Sequence, residues 1–198
     1  MTLRAALALL AAALVAPLPA LAQDAPLRIE ITEGVVRPMP VTLRFEDAGD
    51  AGDLLGDITA IIADDLQGTG LFEMTEPEGA PATRFDRTVD YIAWKTTGTE
   101  ALVTGQVAVN GDSVMLRFRL FDVFAGQPLG DGMQFVSPRA GWRRAAHKIA
   151  DQIYARITGE TPYFDSRIAF IGESGPATER VKRVGVMDYD GAGIKWLT

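Results

Sequence analysis

Apolar and polar residues alternate in several short stretches of the chain. This alternation predicts a strand with one buried face at 27–32 and a second strand at 39–45. Shorter apolar runs predict strands at 71–74 and 133–136, and the apolar residues at 90–96 predict a short helix. The chain therefore mixes strands and helices from its beginning.

Two longer segments carry apolar residues three or four positions apart, a spacing typical of amphipathic helices. The first is predicted to begin with Asp53 as its N-cap and to end at Gly68. The second is predicted to open at Ser137-Pro138, with the serine as N-cap and the proline as the first helical residue. Gly159 is expected to end it.

Residues 101–122 hold two alternating apolar runs separated by Asn110-Gly111, a pair typical of a tight hairpin turn. We expect the apolar residues of the first run to share one face and those of the second run to share another. Together the elements predict an α/β domain at 37–160, with helices packed on a mixed β-sheet. The members of the two runs are Val103, Val107 and Val109, then Val114, Leu116, Phe118 and Leu120.

Residues 161–198 are different in kind. Short strands are predicted at 166–172, 181–187 and 193–197, with an Asp-Gly turn at 190–191. Short strands at regular spacing indicate an all-β repeat, and a propeller blade has four strands in about 40–45 residues. Because blades gain stability by stacking on one another, we expect a linker and a truncated first blade of a longer propeller.

The first 22 residues form a secretory signal. Arg4 is followed by an unbroken apolar run, and Ala20-Leu21-Ala22 has the small-x-small pattern of a cleavage site. Cleavage is expected between Ala22 and Gln23, which would deliver the protein to the periplasm. An uncleaved membrane anchor is the alternative, and two prolines near the end of the apolar run disfavour it.

Composition removes several classes of function. The 198 residues include no Cys and one His, and the formal net charge is −7. The absence of Cys excludes a disulfide scaffold, a thiol nucleophile and Cys-ligated metal centres. The negative charge argues against a general nucleic-acid-binding protein, which would present a basic face.

Two motifs resemble a catalytic or a metal site, but each lacks a residue that the site requires. The segment 172–176 resembles a nucleophile elbow, but Pro176 occupies the position that requires glycine. The segment 188–191 suggests a calcium loop, but Ala192 occupies its fifth position, which favours a simple turn. We therefore expect no catalytic residue, no cofactor and no metal site.

The second long helix carries His147 within a basic patch on an otherwise acidic protein. The histidine has no second histidine or nucleophile nearby in the sequence, which favours a structural role over that of a general base. The basic patch is interpreted as a solvated helix face, with docking of an acidic partner as the less common alternative. Its members are Arg139, Arg143, Arg144 and Lys148.

Five segments together resemble the TolB family across essentially the whole chain after residue 22. The resemblance implies an N-terminal α/β domain followed by a propeller, in a non-catalytic protein of the periplasmic Tol-Pal system. In that family the propeller binds Pal, and the extreme N-terminus binds the C-terminal domain of TolA. The segments are 27–34, 61–66, 146–159, 165–176, and 181–191 with 194–198.

The resemblance implies that residues 23–36 form a strap that adds a strand to TolA. An integral strand at 27–32 is the alternative from sequence alone. An exported hydrolase with a propeller, or a ligand-binding propeller protein with its site beyond residue 198, remains as the other functional class. The TolA-binding residues implied are Leu27, Arg28, Ile29, Glu30, Ile31, Thr32, Glu33 and Gly34.

Overall fold

A computed structural model describes residues 37–198 of the chain. The expected signal peptide with its cleavage point, the strap at 23–36 and the TolA-binding residues 27–34 lie outside the described residues. Below, residues 37–160 are called the α/β region and residues 161–198 the tail region.

The α/β region is built on a mixed sheet, as expected. β1 runs parallel to β2 and β3, while β4 is antiparallel to β3, β5 and β6. The strands lie in the order β2-β1-β3-β4-β5, with β6 also paired to β4. The strands are β1 (Met39–Gly49), β2 (Phe72–Met74), β3 (Ala101–Asn110), β4 (Ser113–Asp122), β5 (Gln127–Pro128) and β6 (Met133–Pro138).

Helices cover both faces of this sheet. The two long helices share one core with the alternating apolar residues of β3 and β4, and a second, smaller core surrounds Trp94. Val103 belongs to the first core and its neighbour Leu102 to the second, because successive strand residues point to opposite faces. The helices are α1 (Asp53–Gly68), α2 (Tyr91–Lys95) and α3 (Trp142–Thr158).

The predicted hairpin is present, with two corrections. Its apolar runs do not lie on different faces, since they pair across the strands and enter one core. Val107 lies opposite Leu116, for example, and both are fully buried. The turn is also one residue later than predicted, because Asn110 pairs with Ser113 and Gly111 adopts a positive φ of 58° in the connection.

The beginnings of the long helices differ from the predictions. Gly52, not Asp53, occupies the N-cap of α1, and no side chain caps this end. Ser137 and Pro138 end β6 instead of opening α3, since both residues pair with β4 and a 3-10 turn at Arg139–Gly141 precedes the helix. An edge strand tolerates a terminal proline because no ladder hydrogen bond is lost there.

The predicted helix ends are confirmed. α1 ends at Gly68, and α3 ends before Gly159, which has the left-handed φ of 74° typical of a C-terminal glycine. The short helix α2 is also confirmed, and the Asp90 carboxylate caps it by accepting from the backbone N–H of Ala93 at 3.0 Å.

The tail region forms a separate antiparallel sheet in the order β7-β8-β9. This confirms the expected architecture, an α/β domain followed by all-β strands. The indole of Trp196 packs over Gly172, where a Cβ would collide with the ring, so a larger residue in β7 would displace this side chain. The strands are β7 (Arg167–Ser174), β8 (Val181–Asp188) and β9 (Lys195–Trp196).

Candidate functional site at the contact of the two regions

Helices α1 and α3 place an aspartate and a histidine against each other in the interior. Asp65 and His147 are 5% and 2% exposed, and the Asp65 Oδ2 to His147 Nδ1 distance is 2.6 Å. Both residues fall on the apolar faces of their helices, which pack together on the sheet. Burial of two polar groups is tolerated here because each provides a hydrogen-bond partner for the other.

The other ring nitrogen of His147 faces the tail region. Its Nε2 is buried without a hydrogen-bond partner and lies 3.8 Å from the carboxylate of Asp190. Burial alone would lower the pKa of His147, but the hydrogen bond and charge of Asp65, with the charge of Asp190, outweigh it. The pKa of His147 is therefore raised above its ordinary value of 6.5, which favours the imidazolium.

A tight turn between β8 and β9 positions the carboxylates of the tail region. The Gly191 N–H donates to the Asp188 carbonyl at 2.9 Å, and the Ala192 N–H donates to Asp190 Oδ1 at 3.0 Å. The predicted Asp-Gly turn at 190–191 is confirmed. This turn directs Asp188 and Asp190 toward helix α3.

Arg143 completes this cluster one helical turn before His147. Its guanidinium pairs with Asp190, and its Nε lies 3.9 Å from Asp188. Single atoms of His147, Asp188 and Asp190 lie within 4.8 Å of one another, close enough to share a cation. The guanidinium of Arg143 already contacts both carboxylates, so an arginine supplies the positive charge at this point.

Two further members of the predicted basic patch also face the tail region. Arg144 Nε donates to Asp165 Oδ1 at 2.7 Å, and Lys148 Nζ lies 3.9 Å from the same carboxylate. The hydrogen bond to Asp165 raises the pKa of Arg144. The interpretation as a solvated face holds for the exposed Arg144 and Lys148 but not for the half-buried Arg143, and all three pair with carboxylates of the chain itself. Arg139 is exposed in the 3-10 turn.

The segment that connects the regions is fixed to α3. Asp151 accepts from the backbone N–H of Phe164 at 2.7 Å and from that of Asp165 at 3.2 Å. Burial raises the pKa of Asp151 although both hydrogen bonds favour its charged form. Phe164 is fully buried and makes edge contacts with Tyr154 and Tyr189. The connection is therefore an anchored segment with defined partners.

The elbow-like segment lies away from this cluster. Ser174 ends β7 and is exposed, and the preceding Glu173 pairs with Lys182 of β8 and with Arg180 just before that strand. The interpretation of 172–176 as a polar loop between strands is wrong for its first three residues, since Gly172, Glu173 and Ser174 belong to β7 and pair with β8. Only Gly175 and Pro176 lie in the connection.

The pairing of Asp65 with His147 was not predicted from the sequence. In the sequence Asp65 stands near the C-terminal end of a predicted helix, where a carboxylate opposes the helix dipole. The available signal was its spacing, since Asp65 follows Ile58 and Ile62 at the interval that defines the buried face. A charged residue at such a position requires a buried partner.

Among residues 37–198, no helix has the length and apolar character needed to cross a membrane. The fold and the cluster together define a two-part protein, in which an α/β region is joined to all-β strands through polar contacts. The sequence model described as the TolB amino-terminal domain matches residues 27–129. The chain belongs to this family.

Curated relatives agree with this assignment. "Tol-Pal system protein TolB" of Cereibacter sphaeroides is 50% identical over 194 residues, covering 96% of this chain and 44% of the relative. The protein of the same name from Jannaschia sp. is 50% identical over 193 residues, covering 96% of this chain and 43% of the relative. The chain thus spans less than half the length of these relatives.

A solved structure shares the fold. The crystal structure of TolB from Acinetobacter baumannii superposes with a TM-score of 0.68 at 26% identity. The match covers 82% of this chain and 39% of that chain.

Proposed function

We propose that the chain is part of a non-catalytic periplasmic adaptor of the Tol-Pal system, which links TolA to Pal. In this role the protein supports outer-membrane integrity and constriction at cell division. The observation that carries the proposal is membership in the TolB amino-terminal domain family, together with relatives named as Tol-Pal system proteins. Export by a cleavable signal peptide, with cleavage between Ala22 and Gln23, fits a periplasmic site of action.

The N-terminal strap at 23–36 is the proposed TolA-binding element. Its apolar positions Leu27, Ile29 and Ile31 alternate with charged or polar ones, which suits an extended segment that adds to the edge of a sheet. Main-chain hydrogen bonds would provide affinity, and the alternate side chains would select the partner. The family match begins at residue 27, so it includes these positions.

Pal binding is assigned to the propeller, of which the tail region would form the first strands. The propeller assignment agrees with three short antiparallel strands joined by tight turns. The polar groups of the described residues support a binding role more than a catalytic one. His147 on α3 is engaged by Asp65, and Ser174 pairs with Val181 at the end of the second sheet that is farthest from Asp188.

Calorimetric titration with the C-terminal domain of TolA from the same organism tests the proposal. We expect the chain that begins at Gln23 to bind and the chain that begins at Arg37 to show no binding. Circular dichroism must first show that both forms are folded. A folded long form that binds no better than the short form would overturn the assignment of the strap.

A point variant sharpens this experiment. Ile29→Asp places a charge on the apolar face of the strap and is expected to weaken binding at least about tenfold, since burial of such a side chain contributes about 1.5–3 kcal/mol. Ala25→Asp adds the same charge in the same strap but outside residues 27–34, and it should leave the affinity within about twofold. Equal losses in the two variants would indicate a general charge effect instead of strand addition.

A further inference from the structure

His147 is the point at which three parts of the molecule meet. It lies on α3, bonds to Asp65 on α1, and presents its free Nε2 to Asp190 in the β8–β9 turn. The contact to α1 lies within the α/β region, whereas the contact to Asp190 crosses to the tail region. One imidazole therefore touches both regions at once.

The charge around the ring comes from every element packed against it. On its own helix, Arg143 opposes protonation of the ring, while the carboxylates of the other elements favour it. Tyr163 in the connecting segment lies near enough to Asp65 for its own pKa to be raised in part by that charge. The titratable and charged groups are Asp65 from α1, Asp188 and Asp190 from the β8–β9 turn, Arg143 and Asp151 from α3, and Tyr163 from the connecting segment.

We propose that protonation of His147 strengthens the contact between the tail region and the α/β region. The contact of its ring with Asp65 and Asp190 is called the clasp below. When the ring is doubly protonated, Nδ1–H donates to Asp65 and Nε2–H carries a positive charge toward Asp190. When the ring is neutral with its proton on Nδ1, the lone pair of Nε2 faces the Asp190 carboxylate, and the contact becomes repulsive. Arg143 continues to hold Asp190 in both states, so loss of the proton loosens the contact without severing it.

The direction of the pH dependence follows from the environment of the ring. The folded-state pKa of His147 is raised above its ordinary value of 6.5. The protonated clasp therefore stabilises the folded contact fully below pH 6.5, and this contribution is lost as the pH rises through the folded-state pKa. The clasp is expected to tighten in mildly acidic conditions and to loosen in alkaline ones.

Because the chain contains a single histidine, its protonation can be measured without ambiguity. The chain should be produced without a histidine tag, and the ring proton signals of His147 followed by NMR from pH 5 to pH 9. We expect a pKa above 6.5, lower in Asp190→Asn, and lower still in Asp65→Asn because burial then acts with less opposition. Glu173→Gln removes a carboxylate that pairs with Arg180 and Lys182 at the other end of the same sheet, and it should leave the pKa unchanged.

A value at or below 6.5 in the unmodified chain would overturn the proposal. An unchanged pKa of His147 in Asp190→Asn would also overturn it, because the charge of the tail region would then have no effect on protonation of the ring. Asp190 is exposed in a turn, so this variant remains informative if Asp65→Asn fails to fold.

A second measurement tests the mechanical consequence. The chain has no Cys, so Ala60→Cys on α1 and Ala177→Cys between β7 and β8 create two unique labelling positions, both exposed. Distances between paired spin labels should be narrowly distributed at pH 6 and broader at pH 8.5. In His147→Gln the distribution should be broad at both pH values.

Equal widths at both pH values in the unmodified chain would overturn the proposal, even if the pKa of His147 is raised. A pH-dependent width that persists in His147→Gln would also overturn it, since another group would then be responsible. Neither measurement involves TolA, so a failure here is distinguishable from a failure of the proposed adaptor function.

Discussion

The two regions of the molecule are held together in different ways. In the α/β region the apolar side chains of the strands and long helices enter a common core. In the tail region Phe164 is the one apolar side chain among the described residues that is buried to the same degree. Apolar residues of the second sheet, such as Ile171 and Leu197, are largely exposed.

This difference shows where each region gets its stability. Burial of apolar surface stabilises the α/β region by itself, since its core is continuous from sheet to helices. The tail region depends on its attachment to α3, through Phe164, Asp151 and the ion pairs of the basic patch. Changes in the core and changes at the attachment should therefore have separable effects.

The largest effect is expected from the core. Leu116 lies on β4, which is paired with β3 on one side and β6 on the other, and Leu116→Ala removes its fully buried side chain from the main core. This change should lower the free energy of unfolding by about 2–5 kcal/mol. Ile171→Ala in the second sheet removes a side chain that is 66% exposed. It should change the free energy of unfolding by less than about 0.5 kcal/mol. Denaturant unfolding followed by circular dichroism measures both. Comparable losses in the two variants would show that the second sheet carries a core of its own.

An intermediate effect is expected at the connecting segment. Asp151→Ala leaves the backbone N–H groups of Phe164 and Asp165 without their acceptor, at a cost of about 1–3 kcal/mol. Hydrogen exchange of these two amides should accelerate about tenfold or more, while amides of β3 remain protected.

Asp151→Asn provides the matched control for that measurement. Its amide oxygen can still accept from Phe164, so protection at this amide should be largely retained. If Asp151→Ala leaves both amides as protected as before, the hydrogen bonds of Asp151 do not hold the connecting segment and burial of Phe164 does. The two regions would then differ only in how much apolar surface they bury.

The elements of the α/β region follow largely from local pattern. Spacing of apolar residues was sufficient for α1 and for the hairpin because each buries one face against a sheet or helix. The beginning of α3 was mistaken because Ser137-Pro138 suits either a helix start or the end of an edge strand. The long-range pairing of both residues with β4 decides between them, and local sequence does not contain that pairing.

The contact between the regions was the least predictable feature. Asp65 and His147 are 82 positions apart, and Arg143 is 47 positions from Asp190. Their charges are visible in the sequence, but their partners depend on how α1, α3 and the β8–β9 turn are arranged in space. For this reason the basic patch resembled a solvated face, although most of it binds carboxylates of the same chain.

The smallest effect is expected from a single exposed ion pair across the contact. Arg144→Ala removes the bond to Asp165, and because Arg144 is 61% exposed, solvent screening limits the loss to about 0.2–1 kcal/mol. Arg180→Ala removes a bond of the same 2.7 Å length to Glu173, from an arginine that is 53% exposed, but this pair lies wholly within the tail region. The two variants thus match in chemistry and differ in whether the pair joins the two regions.

The width of the distance distribution between spin labels at positions 60 and 177 separates these cases. Arg144→Ala should broaden the distribution slightly, and more so at low ionic strength, where the lost pair contributes most. Arg180→Ala should leave the distribution unchanged at every salt concentration. Broadening by Arg180→Ala equal to that of Arg144→Ala would mean that order within the second sheet, and not its attachment to α3, sets the distance between the regions.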